Sequence, residues 1–292
     1  MRHQYPLKEK IFFYWSYFSS KVFGLWFEVK RPKFLLFVYE MLYSSRKLLD
    51  AESLMPSPFN IDFVVTKYGK YHIRPGTTDL SVVSPAFERR DMKFLATLTL
   101  RLRSEGKRIL CLDIGANIGV FSVLIGNLHK DYRSLHIVAF EPEDSNYELL
   151  QKNICVNNLY KNIESFKVAL YSEDSKEMHI HSDPKVPGSS FLMKSELEYC
   201  SSDQKSIAMT LDTLLEKRIG AFDILIFKMD VEGAEADVLR GAKKILHSGK
   251  EIWLLVEDFV DPGIVAYLEG IGAGFITKLT PYNSWWRLGN NG

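Results

Sequence analysis

Residues 111–121 read Cys-Leu-Asp-Ile-Gly-Ala-Asn-Ile-Gly-Val-Phe, with apolar residues on both sides. The apolar run that ends at Asp113 has the length of a buried strand, and the residues from Val120 onward can begin a buried helix. A strand, a tight glycine turn and a helix N-terminus form a cradle for a nucleotide-like ligand, because backbone N–H groups can approach it closely. We therefore expect the ligand-binding centre of an α/β protein here. The alternative is an ordinary strand-to-helix turn.

The spacing of the glycines narrows the choice of ligand. A dinucleotide fingerprint reads G-x-G-x-x-G, whereas Gly115 is followed by Asn117 two positions later and by Val120 five positions later. Glu141 lies 22 positions past Gly119, where an acid can accept hydrogen bonds from both ribose hydroxyls. Glu141 thus favours an adenosine ligand without choosing the cofactor. Alternatively, Glu141 is an acid stabilised by the dipole of the following helix.

Composition excludes several classes of protein. The chain has 292 residues, 46% of them hydrophobic, and a net charge of +1, which gives no reason to expect a nucleic-acid partner. Its three cysteines are far apart in the sequence, so a disulfide framework and a zinc site are both disfavoured and a reducing compartment is expected. With no secretory signal pattern at the N-terminus, we expect a cytoplasmic protein.

The N-terminal extension, residues 1–60, is rich in aromatic residues. Aromatic and basic residues alternate through residues 11–43, and the pattern predicts two helices broken near Pro32. This segment either packs on the domain as a helical cap, which we favour slightly, or lies on a membrane surface as an amphipathic anchor.

The rest of the chain, residues 61–292, is expected to form one domain. A β-hairpin and a helix fill residues 61–105, and a Rossmann-like core follows over residues 106–292, because strand and helix patterns alternate there. Strands are predicted near 108–113, 135–141, 163–170, 223–230 and 251–257, helices near 86–104, 118–129, 143–156, 234–246 and 262–270, short strands near 176–181 and 205–210, and a closing hairpin at 274–279 and 285–288. This predicts a seven-stranded, mostly parallel α/β sheet with helices on both faces. Residues 182–204 suggest a mobile excursion.

Polar residues at strand ends are the candidates for chemistry, since open α/β sheets bind ligands there. Lys228, Asp230 and Glu232 are spaced by two, so an extended chain would place them on one face. Glu257 ends the next predicted strand and could face the acceptor. Alternatively, Glu257 is an acid at the start of the following helix. Backbone around Ala169, at the end of the third strand, either flanks an adenine or is plain core.

These motifs together resemble the FkbM family of S-adenosylmethionine (SAM)-dependent methyltransferases. The resemblance covers about residues 71–256, and its motifs are Ile73–Asp79, Leu112–Gly119, Phe140–Pro142, Val168–Leu170, Thr210–Asp212 and Lys228–Glu235. It implies a class I Rossmann-like fold, SAM as cofactor, and a hydroxyl acceptor on a natural product or sugar. It also implies SAM contacts at Asp113, Gly115, Asn117, Gly119 and Glu141, with Asp79 as an acid near the site.

The leading hypothesis is O-methylation of a small-molecule, glycan or lipid-linked acceptor. Asp230 is the first candidate base, Glu257 the second, and Lys228 would stabilise the developing alkoxide. No metal site is predicted, because His179 and His181 read as one polar strand face without a nearby acid cluster. The alternatives are an N- or protein methyltransferase, a nicotinamide oxidoreductase, and a non-catalytic binding protein.

Overall fold

A computed structural model describes residue 57 and residues 60–183, 186–193, 204–261 and 263–289. Its strands are β1 (Phe63–Val65), β2 (Lys70–His72), β3 (Ile109–Ile114), β4 (Leu135–Phe140), β5 (Ile163–Phe166), β6 (Ala169–Leu170), β7 (Glu177–Asp183), β8 (Val186–Met193), β9 (Lys205–Met209), β10 (Ile224–Met229), β11 (Glu251–Glu257), β12 (Gly274–Lys278) and β13 (Asn283–Leu288). Its α-helices are α1 (Asp79–Val82), α2 (Arg89–Ser104), α3 (Val120–Leu128), α4 (Asp144–Val156), α5 (Leu211–Leu215), α6 (Glu235–Arg240), α7 (Lys243–Leu246) and α8 (Gly263–Gly270). A 3₁₀ turn spans Ile219–Ala221.

Seven strands form the main sheet in the order β12-β13-β11-β10-β3-β4-β5. Only β13 runs against its neighbours, so the sheet is mostly parallel, as predicted. Five parallel strands and a final antiparallel pair are also the layout that the sequence predicts. The chain leaves β3 towards β4 on one side and returns to β10 on the other. Ligands bind at such a reversal, outside the carboxyl ends of the strands.

Both faces of the sheet are covered, which explains the continuous apolar sequences of its central strands. Every residue of β3 and of β10 is buried. Cys111 packs into one core with α2, α3 and α4, whereas Leu110 and Leu112 pack into the other core with α5 to α8. Two-sided helix packing is thereby confirmed. None of the helices in the described part of the chain is both long and apolar enough to span a bilayer.

The predicted strand at 163–170 is wrong as a single element. β5 ends at Phe166, and β6 instead pairs with β9 in a separate four-stranded sheet ordered β6-β9-β7-β8. Val168, within the break, and Leu170, after it, are both buried, so an apolar pattern could not reveal the break. The expected mobile excursion at 182–204 is wrong for Val186–Met193, which is a strand antiparallel to β7. Pro187 and Gly188 hide that strand in the sequence.

The β1–β2 hairpin lies where the sequence predicts it and is held by side chains. Asn153 of α4 accepts a hydrogen bond from the His72 N–H at 2.6 Å and donates to the His72 carbonyl at 3.3 Å. Asn157, one turn later, does the same for Lys70 at 2.9 and 2.7 Å. These side-chain amides form hydrogen bonds with the backbone N–H and carbonyl groups on the outer edge of β2, as a neighbouring strand would. The predicted helices of residues 11–43 lie outside the described residues.

We expect Asn153→Ala to lower the free energy of unfolding by about 2–4 kcal/mol. The Asn153 side chain also donates to the Ile118 carbonyl at 2.9 Å, so truncation leaves backbone groups of two elements without partners. Urea denaturation measures the change. The control is Gln151→Ala on the exposed side of the same helix, which should shift stability by less than about 0.5 kcal/mol. Equal effects of the two substitutions would contradict this account.

Candidate functional site

The turn after β3 has a backbone that only specific residues allow. Gly115 and Gly119 adopt φ values of +75° and +87°, and Asn117 between them has φ +49°. A Cβ on Gly115 would lie 1.9 Å from the Asp230 carbonyl oxygen. This contact between two backbones requires glycine at position 115, and it brings the ends of β3 and β10 together.

Glu141 reaches this turn from the end of β4. Its Oε2 accepts a hydrogen bond from the Asn117 N–H at 2.7 Å, and its Oε1 accepts one from the Glu143 N–H at 3.0 Å. Burial raises the pKa of Glu141 to about 7, although these backbone hydrogen bonds oppose the shift. Glu143, rather than Glu141, caps α4 by accepting from the Asn146 N–H at 2.6 Å. Glu141 is therefore not committed to helix capping.

A cavity opens beside Gly115, Asn117 and Glu141. Residues 168–170 line its second side, so they are not only core strand, and the sequence allows an adenine there. Asp230 lies at another edge. The turn, the Glu141 carboxylate and residues 168–170 thus meet at one cavity.

The β7–β8 hairpin supplies a wall that sequence reasoning missed. Ile180 of β7 and Gly188 of β8 both line the cavity. Alternation along β7 places Ile180 inward and His179 and His181 on the opposite, polar face, and Ile180 is buried. Gly188, within the expected excursion, therefore forms part of the site.

Asp113 lies below the cavity rather than in its wall. Its side chain is fully buried, and its Oδ2 accepts hydrogen bonds from the Ser122 N–H at 3.1 Å and hydroxyl at 2.6 Å. Burial raises the pKa of Asp113, and the Lys228 ammonium, 3.8 Å from Oδ1, opposes that shift. Asp113 ties the first turn of α3 to the end of β3.

Asp79 is likewise connected to the cavity indirectly. Its carboxylate forms two hydrogen bonds with the Arg74 guanidinium, at 2.9 and 3.0 Å. Arg74 then donates to the Asn146 Oδ1 at 2.8 Å, and Asn146 lines the cavity. Because Asp79 is fully buried in this pair, it positions Arg74, and Arg74 in turn positions Asn146.

Lys228 is the electrostatic centre at the end of β10. Its Nζ donates to the Gly115 carbonyl at 2.8 Å and lies 3.3 Å from Asp230 Oδ2. Burial lowers the pKa of Lys228, but Asp230, Asp113 and Glu88 outweigh burial and raise it above its ordinary value. The ammonium therefore stays charged. Only 10% of its side chain is exposed, whereas Asp230 is 36% exposed.

Glu257, at the end of β11, joins Asp230 and Glu232 in a group of carboxylates. One oxygen from each lies within 4.8 Å of the others. Burial, followed by the charges of Asp230 and Glu232, raises the pKa of Glu257 to about 10. This shift favours the protonated form of Glu257, which is less suited to accept a proton. Three carboxylates at this spacing could ligate a divalent cation, although such groups are also common without one.

Glu88 is a site residue that the sequence did not indicate. It precedes α2 with φ +43°, and its Oε1 accepts a hydrogen bond from the Asn283 amide at 2.8 Å. Burial raises the pKa of Glu88 to about 7, and Asp230 raises it further while Lys228 lowers it. Glu88 therefore faces the same group of charges as the ends of β10 and β11. No motif includes Glu88, because it lies between the Ile73–Asp79 motif and the Leu112–Gly119 motif.

Glu235, the first residue of α6, has a structural role. Its carboxylate accepts hydrogen bonds from the Val231 N–H at 3.0 Å and the Gly233 N–H at 3.1 Å. Burial raises the pKa of Glu235 to about 7, and these hydrogen bonds oppose the shift. It holds the loop that follows Asp230.

The sequence and structure are similar to those of known proteins. A family model of the methyltransferase FkbM domain matches residues 113–268. Methyltransferase sdnD of Sordaria araneosa is 26% identical over 51% of this chain and 63% of its own length. Methyltransferase 1 of Beauveria bassiana is 29% identical over 51% of this chain and 61% of its own length. The chain thus matches less than two thirds of either relative.

Among solved structures, one similar fold belongs to the ribosomal protein L11 methylase of Lactobacillus delbrueckii subsp. bulgaricus. It is 12% identical, with 79% of this chain and 99% of that chain covered and a TM-score of 0.40. The family match, residues 113–268, includes the turn after β3, Glu141 and the acids at the ends of β10 and β11.

We expect Gly115→Ala to destabilise the protein far more than Gly249→Ala. Both glycines have left-handed backbone, at φ +75° and +73°, but a Cβ on Gly249 meets nothing within 4 Å. Gly249→Ala should therefore cost only the backbone strain of about 1–2 kcal/mol. Gly115→Ala adds a collision with the Asp230 carbonyl. Urea denaturation of both variants measures the difference, and equal losses would show that the close approach does not exist.

Proposed function

Because the chain belongs to the FkbM family of SAM-dependent methyltransferases, we propose that it transfers the methyl group of SAM to a hydroxyl oxygen. The observation that carries the proposal is the hydrogen bond between the Asn117 N–H and Glu141 at one cavity. Glu141 would accept hydrogen bonds from the ribose hydroxyls, and the turn at Gly115 would lie against the amino-acid part of SAM. The adenine would lie beside residues 168–170.

Asp230 is the proposed base. Its partly exposed carboxylate lies at the cavity edge, where it can accept the hydroxyl proton as the acceptor oxygen bonds to the methyl carbon. The sulfur–carbon bond breaks in the same step, and S-adenosylhomocysteine (SAH) is released. Holding the oxygen in line with the methyl group can lower the barrier by roughly 7–11 kcal/mol, and the base adds roughly 10²–10⁴-fold.

Lys228 is proposed to support this base rather than to bind the acceptor. Its ammonium is already engaged by the Gly115 carbonyl and Asp230, and little of its side chain is exposed. In that position it fixes the Asp230 carboxylate against the turn and lowers the electrostatic cost of gathering Asp113 and Asp230 in one place.

The proposed acceptor is a hydroxyl on a sugar, glycan or apolar natural product, with a lipid-linked form included. Phe259 is 68% exposed and its ring packs edge-on against Tyr282 at 5.4 Å, just beyond the end of β11. An exposed aromatic ring beside carboxylates suits an acceptor with both apolar faces and hydroxyl groups. An amine or protein acceptor is the alternative. We also propose, from the sequence pattern alone, that residues 11–43 contact a membrane.

We expect Asp230→Asn to reduce turnover by roughly 10²–10⁴-fold while SAH binding stays within about threefold, because the amide cannot take the proton. A screen of hydroxyl and amine acceptors with radiolabelled SAM measures turnover, and calorimetry measures SAH binding. Asp131→Asn, at an exposed aspartate of the α3–β4 connection, is the matched control. Full turnover of Asp230→Asn with an active acceptor would exclude Asp230 as the base.

We also expect SAH to bind about tenfold more weakly near pH 6 than near pH 8. Glu141 has a pKa raised to about 7, so acid protonates it and removes its capacity to accept hydrogen bonds from both ribose hydroxyls. Calorimetric titrations with SAH at pH values from about 6 to 8 measure the effect. The same titrations with NAD test the alternative cofactor. Glu141→Gln should bind weakly with little pH dependence. Affinity that is equal at both pH values in the unmodified protein would overturn this role of Glu141.

A further inference from the structure

The β7–β8 hairpin (Glu177–Asp183 and Val186–Met193) closes the side of the cavity that the main sheet leaves open. The main sheet contributes the turn after β3, whereas the hairpin contributes Ile180 and Gly188. Gly188 approaches the turn so closely that a Cβ there would lie 2.9 Å from the Asn117 Nδ2. The hairpin therefore packs against the turn itself at the edge of the cavity.

One buried side chain connects this hairpin to the carboxylate that would hold the ribose. The Asn146 Nδ2 donates to the Pro187 carbonyl of β8 at 3.1 Å and to the Glu141 Oε1 at 3.4 Å. The Asn146 Oδ1 accepts from Arg74 at 2.8 Å, which fixes the orientation of the amide. Asn146 is 2% exposed, so water does not compete for these hydrogen bonds.

A second connection lies at the base of the hairpin. The Gln204 Nε2 donates to the Pro142 carbonyl at 2.9 Å, and the Gln204 carbonyl accepts from the Ile180 N–H at 2.9 Å. Both strands are thus attached to the segment from Glu141 to Asn146. Opening the cavity on this side requires the Asn146 hydrogen bond to Pro187 to break, because β8 is the outer strand of its sheet.

We propose that the β7–β8 hairpin is a wall of the cofactor site and that Asn146 is the positioning residue that keeps it closed. The inference rests on the proposed function, because the ligand it names is the adenosine part of SAM and SAH. Ile180 gives that adenosine an apolar contact, and Gly188 lets β8 pack closely against the Asn117 side chain of the turn. With Glu141 and Pro187 bound to one amide, ribose binding and hairpin closure favour each other, so Asn146 controls how fast SAH leaves.

The experiment compares SAH release from the unmodified protein, Asn146→Ala and Gln151→Ala by stopped-flow displacement. Loss of the Asn146 hydrogen bonds should speed release about three- to tenfold, with association changed much less. Gln151 lies on the same helix but is exposed, so Gln151→Ala should release SAH at the original rate. Release from Asn146→Ala at the rate of the unmodified protein would overturn the inference.

Hydrogen exchange on the unmodified protein gives a second readout that does not depend on a variant. SAH should slow amide exchange in Glu177–Asp183, and a purely structural hairpin would show no such change. Unchanged exchange in the hairpin, with SAH bound, would refute the inference alone. Failure of the unmodified protein to bind SAH would instead refute the proposed function on which it rests.

Discussion

The hydrogen bond from the Asn117 N–H to Glu141 is the constraint on which the rest of the site depends. It forms only because Gly115 lets β3 and β10 approach within backbone contact and because Asn117 accepts a left-handed conformation. The bond joins the ends of β3 and β4 at the point where the sheet reverses its order. This hydrogen bond fixes the positions of the cavity, its walls and the acids at its edge relative to one another.

Charge balance is the second condition. Lys228 is nearly buried, and it is accompanied by Asp113, Asp230 and Glu88. A buried ion pair adds little net stability, but removing one partner leaves a charge without compensation and costs about 3–5 kcal/mol. These buried charged residues are therefore better explained by the proposed function than by stability, because Lys228 positions Asp230 at the cavity edge. Glu88 and Asn283, which contribute to it, lie outside the residues matched by the family.

The sequence predicted those features that depend on local pattern. The strands of the core, the turn after β3 and the place of Glu141 follow from apolar runs, glycine spacing and the distance between motifs. The closing hairpin and the reversed β13 were also predictable from alternating residues. Asp113 and Lys228 were predicted to contact ligands, but the structure places their side chains beneath or beside the cavity.

Features set by contacts between distant residues were not predictable. Pro187 and Gly188 are uncommon in strands, so the sequence does not predict β8. Lys167 does not indicate that the chain leaves the main sheet after β5. Glu88 and Asn146 enter the site because of packing between elements far apart in sequence. Their chemical types are common on protein surfaces, so only the fold distinguishes them.

A crystal structure of the full chain with SAH tests the central claim most directly. The account predicts both ribose hydroxyls on the Glu141 carboxylate, the adenine between residues 168–170 and Ile180, and the sulfur directed towards Asp230. A ligand bound elsewhere, or a ribose that does not contact Glu141, would contradict it.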